Sequence, residues 1–183
     1  MKETFIHNEI WLLTTIGSFQ RANLYDKKVA SNEEERRNFR VDLHKLIKEI
    51  ALTQYIKTIS ERKHIENIKN ISHFTAKSDF SYLLNNGQLN FGVSQKLLNL
   101  YLKYLWCTNS IKTPPHFPVD RIIQENLNKE AKNLGLKKRA VTSWTKMKNE
   151  DDYMEVINYA KQFLQNSKFK SLADLELNLF ERS

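Results

Sequence analysis

One cysteine, Cys107, stands alone among 183 residues. Neither a disulfide within the chain nor a cysteine-rich metal site can form from it, and a reducing, intracellular setting suits such a chain. Four glycines and three prolines are too few for the many turns of a β-sandwich or barrel. No apolar run approaches the roughly 18 residues of a membrane span. The opening "MKETFIHNEIWLL" is broken by charges and histidine and has no cleavage signal. The expectation is a cytoplasmic protein with no membrane partner. Repeats, low-complexity tracts, a phosphate-binding loop, a zinc motif and a Ser/His/Asp order are all missing, so no metal or other cofactor is expected.

What remains is an ordinary globular composition, 40% hydrophobic and 27% charged. Twenty-nine Lys and Arg against 21 Asp and Glu leave a net charge of +8. That balance favours a polyanion partner, most often nucleic acid; a basic soluble protein without such a partner is the plainer alternative.

Helical periodicity dominates. Phe5, Ile6, Ile10, Leu13 and Ile16 form a stripe at helical spacing, read as inward-facing. Ser31 and Glu34 make a capping box for a helix carrying Phe39, Leu43, Leu46, Ile47 and Ile50 and reaching about Ile56. Ser60 opens a third helix with Ile65, Ile68 and Ile71 inward, and Ser78 caps a short one, "DFSYLLN". "NNGQLNFG" is a compact turn. Residues 95–106 form an apolar helix, followed by a connection stiffened by Pro114, Pro115 and Pro118. Asp120 caps the next helix, which Gly135 closes. Asn149 with Asp152 and Ser171 with Asp174 open the last two, and the apolar positions of "DDYMEVINYAKQFL" read as core. The fold class is all-α: a single domain over 1–183, expected to be a monomer, of about eight helices around a buried central one.

That central helix carries few polar positions. Lys96, Asn99 and Lys103 share one narrow face at i, i+3 and i+7, while the leucines, Tyr101, Tyr104 and Trp106 face neighbouring helices. Cys107 at its end reads as a buried thiol. Lys96 sits early in the helix, just past a glycine. Half-desolvated there, a lysine acquires a lowered pKa and becomes a nucleophile able to form a Schiff base; the common alternative is a solvated surface lysine.

Two pieces in this order, "GQLNFGVSQKLLNLYLKYLW" and "PPHFPVDRII", resemble the helix-hairpin-helix DNA glycosylases, the endonuclease III and 8-oxoguanine glycosylase superfamily. The resemblance covers residues 78–125, about a quarter of the chain. It implies a helix-hairpin-helix element at 78–106, with "DFSYLLN" as first helix, Gly92-Val93-Ser94 in the hairpin binding the DNA backbone, and Lys96 early in the second helix as nucleophile. It further implies a catalytic loop at 108–121 presenting Asp120 at a helix N-terminus, and double-stranded DNA as partner. Three departures stand out. Serine replaces the second hairpin glycine, though Ser94 can cap the helix. The connection from Lys96 to Asp120 is longer than in compact members. The chain has no cysteine quartet and therefore no iron–sulfur cluster.

The implied chemistry is base excision with abasic-site lyase activity: Asp120 stabilises a cationic sugar and neutral Lys96 attacks C1′ of a flipped nucleotide. Around that pair, His116 either lines a pocket, contacts a phosphate or is an exposed loop residue. Trp144 either stacks on a base or packs onto the domain. Lys137, Lys138 and Arg139, with Lys146 and Lys148, either track phosphates or form a solvated charge run. Arg121 meets a phosphate or solvent. Two rival readings are a non-catalytic helical nucleic-acid-binding module and a helical protein-interaction domain. Geometry separates them: catalysis requires the Lys96 amine and the Asp120 carboxylate within several ångströms, and opposite faces would end it.

Overall fold

The computed structural model describes residues 1–29, 33–165 and 167–180. Seven α-helices follow one another: α1 (Lys2–Phe19), α2 (Glu33–Gln54), α3 (Glu61–Lys77), α4 (Phe91–Cys107), α5 (Arg121–Ala131), α6 (Glu150–Gln165) and α7 (Leu172–Leu179). Short 3₁₀ turns lie at Ser81–Leu83, Asn85–Gly87 and Trp144–Lys146. Among the described residues there is no strand, only an isolated bridge between Tyr25 and Leu84. The Ser31 half of the expected capping box lies outside the described residues.

Helix α4 is the centre of the core. Thirteen of its seventeen residues are buried, and α1 and α3 pack on it most extensively. Each fully buried leucine of the set Leu97, Leu98, Leu102 and Leu105 contributes about 1.5–3 kcal/mol of burial, which makes α4 the element that holds the others. Helices α5, α6 and α7 pack on one another beside it.

Caps read from the sequence are in place at four helices. Ser60 accepts from the Lys63 N–H, Asp120 from Ile123, Asn149 from Asp152 and Ser171 from Asp174. Three expectations are corrected. The segment "DFSYLLN" makes a 3₁₀ turn at Ser81–Leu83 rather than a short helix, because Leu84 takes extended backbone; the next turn, Asn85–Gly87, contains Asn86 and Gly87 at positive φ. Cys107 is exposed, since it lies on the last, outward turn of α4. The inward face of α1 is also reversed: of the expected stripe only Ile10 is buried, while Phe5, Ile6, Leu13 and Ile16 are exposed. Thr14, Thr15 and Ser18 face inward instead. Against the leucine-rich surface of α4, small side chains allow the closer approach, and a Cβ on Gly17 would come within 2.8 Å of Leu100 Cδ1. Both faces of α1 share one period, so periodicity alone selects neither.

Two lysines of α4 are buried, each against a carboxylate from elsewhere in the chain. Lys103 Nζ lies 2.8 Å from Glu176 Oε1 of α7 and 3.7 Å from the centre of the Phe180 ring. Burial pushes the Glu176 carboxyl up, and Lys103 pulls it back. Replacing Lys103 with methionine is expected to cost about 3 kcal/mol at pH 8, the range for breaking a buried pair by removing one partner. The loss should shrink at pH 5. An acid whose folded pKa is raised binds its proton in the native state first, so stability is regained as pH falls toward the unfolded value. Urea denaturation at the two pH values measures the difference.

Candidate functional site

The second buried pair joins the two residues singled out in the sequence. Helix α4 begins earlier than its apolar run suggests: Asn90 is the N-cap, with Oδ1 accepting from the Val93 N–H at 2.8 Å. Gly92, Val93 and Ser94 are therefore helical and buried. They do not form the hairpin, and their backbone cannot meet a phosphate. Gly92 serves another purpose. Its N–H donates to the Met147 carbonyl at 3.1 Å, and a Cβ there would lie 2.9 Å from the Trp144 carbonyl carbon and 3.0 Å from Met147 Cβ. Ser94 is not the cap; its hydroxyl is buried without a hydrogen-bond partner among the described residues.

Lys96 falls in the second turn, and its side chain leans toward the helix start, as helical side chains do. Its Nζ stands 3.3 Å from Asp120 Oδ2 and 4.5 Å from the centre of the Trp144 ring. Asp120 is the N-cap of α5 in extended backbone, its other oxygen accepting from the Ile123 N–H at 3.1 Å. Buried Phe117 and Val119 anchor the connection that delivers it. Lys96 is 8% exposed. Burial pulls its ammonium below the usual lysine range, Asp120 opposes that, and the Arg21 cation adds to it.

Beside the pair lies a groove of about 650 Å³ lined by Arg21, Arg121, Ser143, Trp144, Thr145 and Lys146, among others. Arg121 is paired with Glu125 at 2.6 Å. Arg21 and Lys146 have no carboxylate partner among the described residues. A larger groove of about 980 Å³, rich in asparagine, lies across the shared Thr145; neither Lys96 nor Asp120 lines either groove. The larger volume is thus not where the paired charges are.

The other sequence candidates separate. Trp144 is buried and lines the smaller groove above Lys96. His116 is neither in a pocket nor exposed: it is 1% exposed, with Nε2 2.7 Å from Glu61 Oε1 of α3. Arg139 is paired with Glu155 at 2.5 Å in an exposed contact and lies by the Tyr159 ring; it lines neither groove. Lys137 and Lys138 are exposed and line neither groove.

Sequence reasoning assigned no role to three amides that fix the architecture. Each bridges both groups of one backbone residue. Gln95 donates to the Val119 carbonyl at 2.8 Å and accepts from its N–H at 3.1 Å. Gln124 does the same with Thr142 at 2.8 and 3.0 Å, and Asn128 with Arg139 at 2.7 and 2.9 Å. Gln124 and Asn128, one turn apart on α5, thereby fix the segment that leads to Trp144. The signal in the sequence was an amide where a helix is otherwise apolar, as at Gln95. Arg21 carried no signal at all.

No protein-family model, no curated protein and no solved structure matches the chain.

Proposed function

We propose that the chain is a DNA base-excision glycosylase with lyase activity, in which Lys96 and Asp120 act on one nucleotide. The observation that carries this reading is the 3.3 Å approach of the Lys96 amine to the Asp120 carboxylate at the starts of two helices, beside a cationic groove. Burial favours the neutral amine a nucleophile requires. Arg21 and Lys146, cations with no carboxylate partner among the described residues, face the phosphates, and the +8 net charge favours approach to a polyanion.

The target nucleotide leaves the stack to reach the pair, at a cost of a few kcal/mol that is smallest for a damaged or mispaired base. The C1′–N bond breaks, its electron pair leaves with the base, and the base takes up a proton. Asp120 stabilises the positive charge on the sugar. Lys96 Nζ bonds to C1′ and loses a proton, and opening of the sugar ring gives an imine. Removal of a C2′ proton then breaks the C3′–O bond and expels the phosphate. Trp144 covers Lys96, so its ring moves aside when a nucleotide enters.

A duplex panel carrying 8-oxoguanine, uracil, oxidised pyrimidines or an abasic site tests this. Base release or strand scission should occur on at least one duplex. Asp120→Asn should lower base release by about 100-fold or more, as loss of a positioned catalytic carboxylate does, and Lys96→Ala should abolish scission. A second reading rests on a specific observation: the pair is covered by Trp144 and lies outside both grooves. On that reading Lys96 and Asp120 clamp α4 to α5, and the chain binds DNA silently. Tight, steeply salt-dependent binding with no release from any duplex would decide for it.

A further inference from the structure

We infer that Gln95 is a positioning residue for the Lys96–Asp120 pair, setting the carboxylate against the amine by holding the peptide group of Val119. This rests on the reading of that pair as a reactive site and extends it to a residue that touches neither substrate nor reacting atom. Lys96 follows Gln95 on α4 and Asp120 follows Val119 on the connection. The two hydrogen bonds between Gln95 and Val119, at 2.8 and 3.1 Å, therefore fix the register of the two reactive residues relative to each other. Gln95 is fully buried, and no water competes for its amide. Its orientation is fixed in turn: Asn99 Nδ2, one turn on, donates to Gln95 Oε1 at 3.2 Å and to the Tyr153 hydroxyl of α6 at 3.0 Å.

An apolar side chain would fill the space as well, yet it would leave the Val119 N–H and carbonyl unpaired and the connection free to slide. A displacement of about 1 Å at a reacting group lowers rates by about 100-fold. The Asp120 side chain makes two contacts, to Lys96 and to the Ile123 N–H. The N-cap bond travels with α5, so Gln95 is the tie that belongs to α4.

The readout independent of activity is the titration of Lys96, followed by NMR of isotopically labelled lysine and assigned with Lys96→Gln. Charged or titratable groups facing this region are Asp120 at the start of α5, Arg21 after α1, Glu176 of α7, which acts on Asp120 and is paired with Lys103, and, across Asn99, Tyr153 of α6 and His64 of α3. In Gln95→Met, Asp120 draws away while Lys96 stays buried, so the Lys96 pKa falls further below that of the parent, because the opposing charge is lost. Single-turnover base release from a cleaved duplex should fall about 100-fold with unchanged DNA affinity. If Gln95→Met does not fold, Gln95→Asn replaces it. It keeps a buried amide one methylene too short to bridge both Val119 groups, and the same fall is expected. An unchanged Lys96 titration in a cooperatively folded variant overturns the inference, even where the parent enzyme releases base. A lowered Lys96 pKa in the variant, with a parent that cleaves nothing, leaves the positioning standing and removes the glycosylase reading.

Discussion

Replacing Gly92 with alanine is expected to destabilise the protein by about 3 kcal/mol, the upper part of the range for overpacking, and to lower its melting temperature by roughly 6–12 °C. Alanine is ordinarily the better helix former by about 1 kcal/mol, so the sign of the effect is opposite to what helix propensity gives. The reason is contact with backbone. The added methyl would overlap the Trp144 carbonyl and crowd Met147. A carbonyl cannot rotate away as a side-chain end does. The turn Trp144–Lys146 must lift, which breaks the bond from the Gly92 N–H to Met147 and moves the Trp144 ring from above Lys96. Loss of stability should therefore accompany a rise in the reactivity of Lys96 toward small amine reagents. Thermal unfolding followed by circular dichroism, with reagent labelling of Lys96 below the transition, checks both parts. A variant as stable as the parent would mean that the turn does not pack on α4 as described.

Acid should unfold the protein through its buried histidines. His64 and His116 are fully buried, with ring centres 4.8 Å apart. Burial holds His64 well below the ordinary histidine value, with the neighbouring His116 adding to it. Burial likewise brings His116 down to about 4, against the pull of Glu61. In the unfolded chain both take up protons near pH 6.5. Between about pH 6.5 and 4 the unfolded state thus binds more protons than the folded one, and stability falls as pH falls. Each histidine contributes a slope of about 1.4 kcal/mol per pH unit, roughly 2.7 for the two. Glu176 acts in the opposite direction, because its raised folded value adds stability as pH drops toward 4.5. Glu61, lowered by Lys161 and His116 against the effect of burial, contributes only below about pH 4.5. The histidine part is isolated by comparing the parent with His116→Gln, which keeps a donor for Glu61 and does not titrate. Urea denaturation at pH 7, 6 and 5 should show the slope reduced by one histidine's share, while His64 and half-buried His44, which burial also brings down to about 4, keep theirs. Equal slopes would mean that His116 is not buried neutral in the folded protein.

What the sequence disclosed follows from which physical effects are local. Caps at Ser60, Asp120, Asn149 and Ser171 depend on one side chain and a backbone N–H three residues on, and all four are present. The buried state of α4 follows from composition, since a helix apolar on nearly every side must be covered. The side of α1 that turns inward is a tertiary matter. Thr14, Thr15 and Ser18 win over Phe5, Leu13 and Ile16 because close packing on α4 outweighs the burial of large side chains, and nothing in α1 alone records that. The approach of Lys96 to Asp120 was expected from the resemblance to the glycosylases, while the hairpin expected from the same resemblance is absent at 92–94, where the backbone is helical. Gly92 fits both a hairpin and a close helix–turn contact, and only the position of Trp144 distinguishes them. The amide bridges of Gln95, Gln124 and Asn128 join segments 11 to 24 residues apart and depend on backbone positions that the fold alone supplies.

The most direct test of the central claim is borohydride trapping on an abasic duplex, followed by peptide mapping of the product. The account predicts one covalent band, carried by Lys96, lost in Lys96→Ala and reduced when Arg21 and Lys146 are both replaced by alanine. A band carried by a different lysine, or none from a folded protein that still binds the duplex, would contradict it.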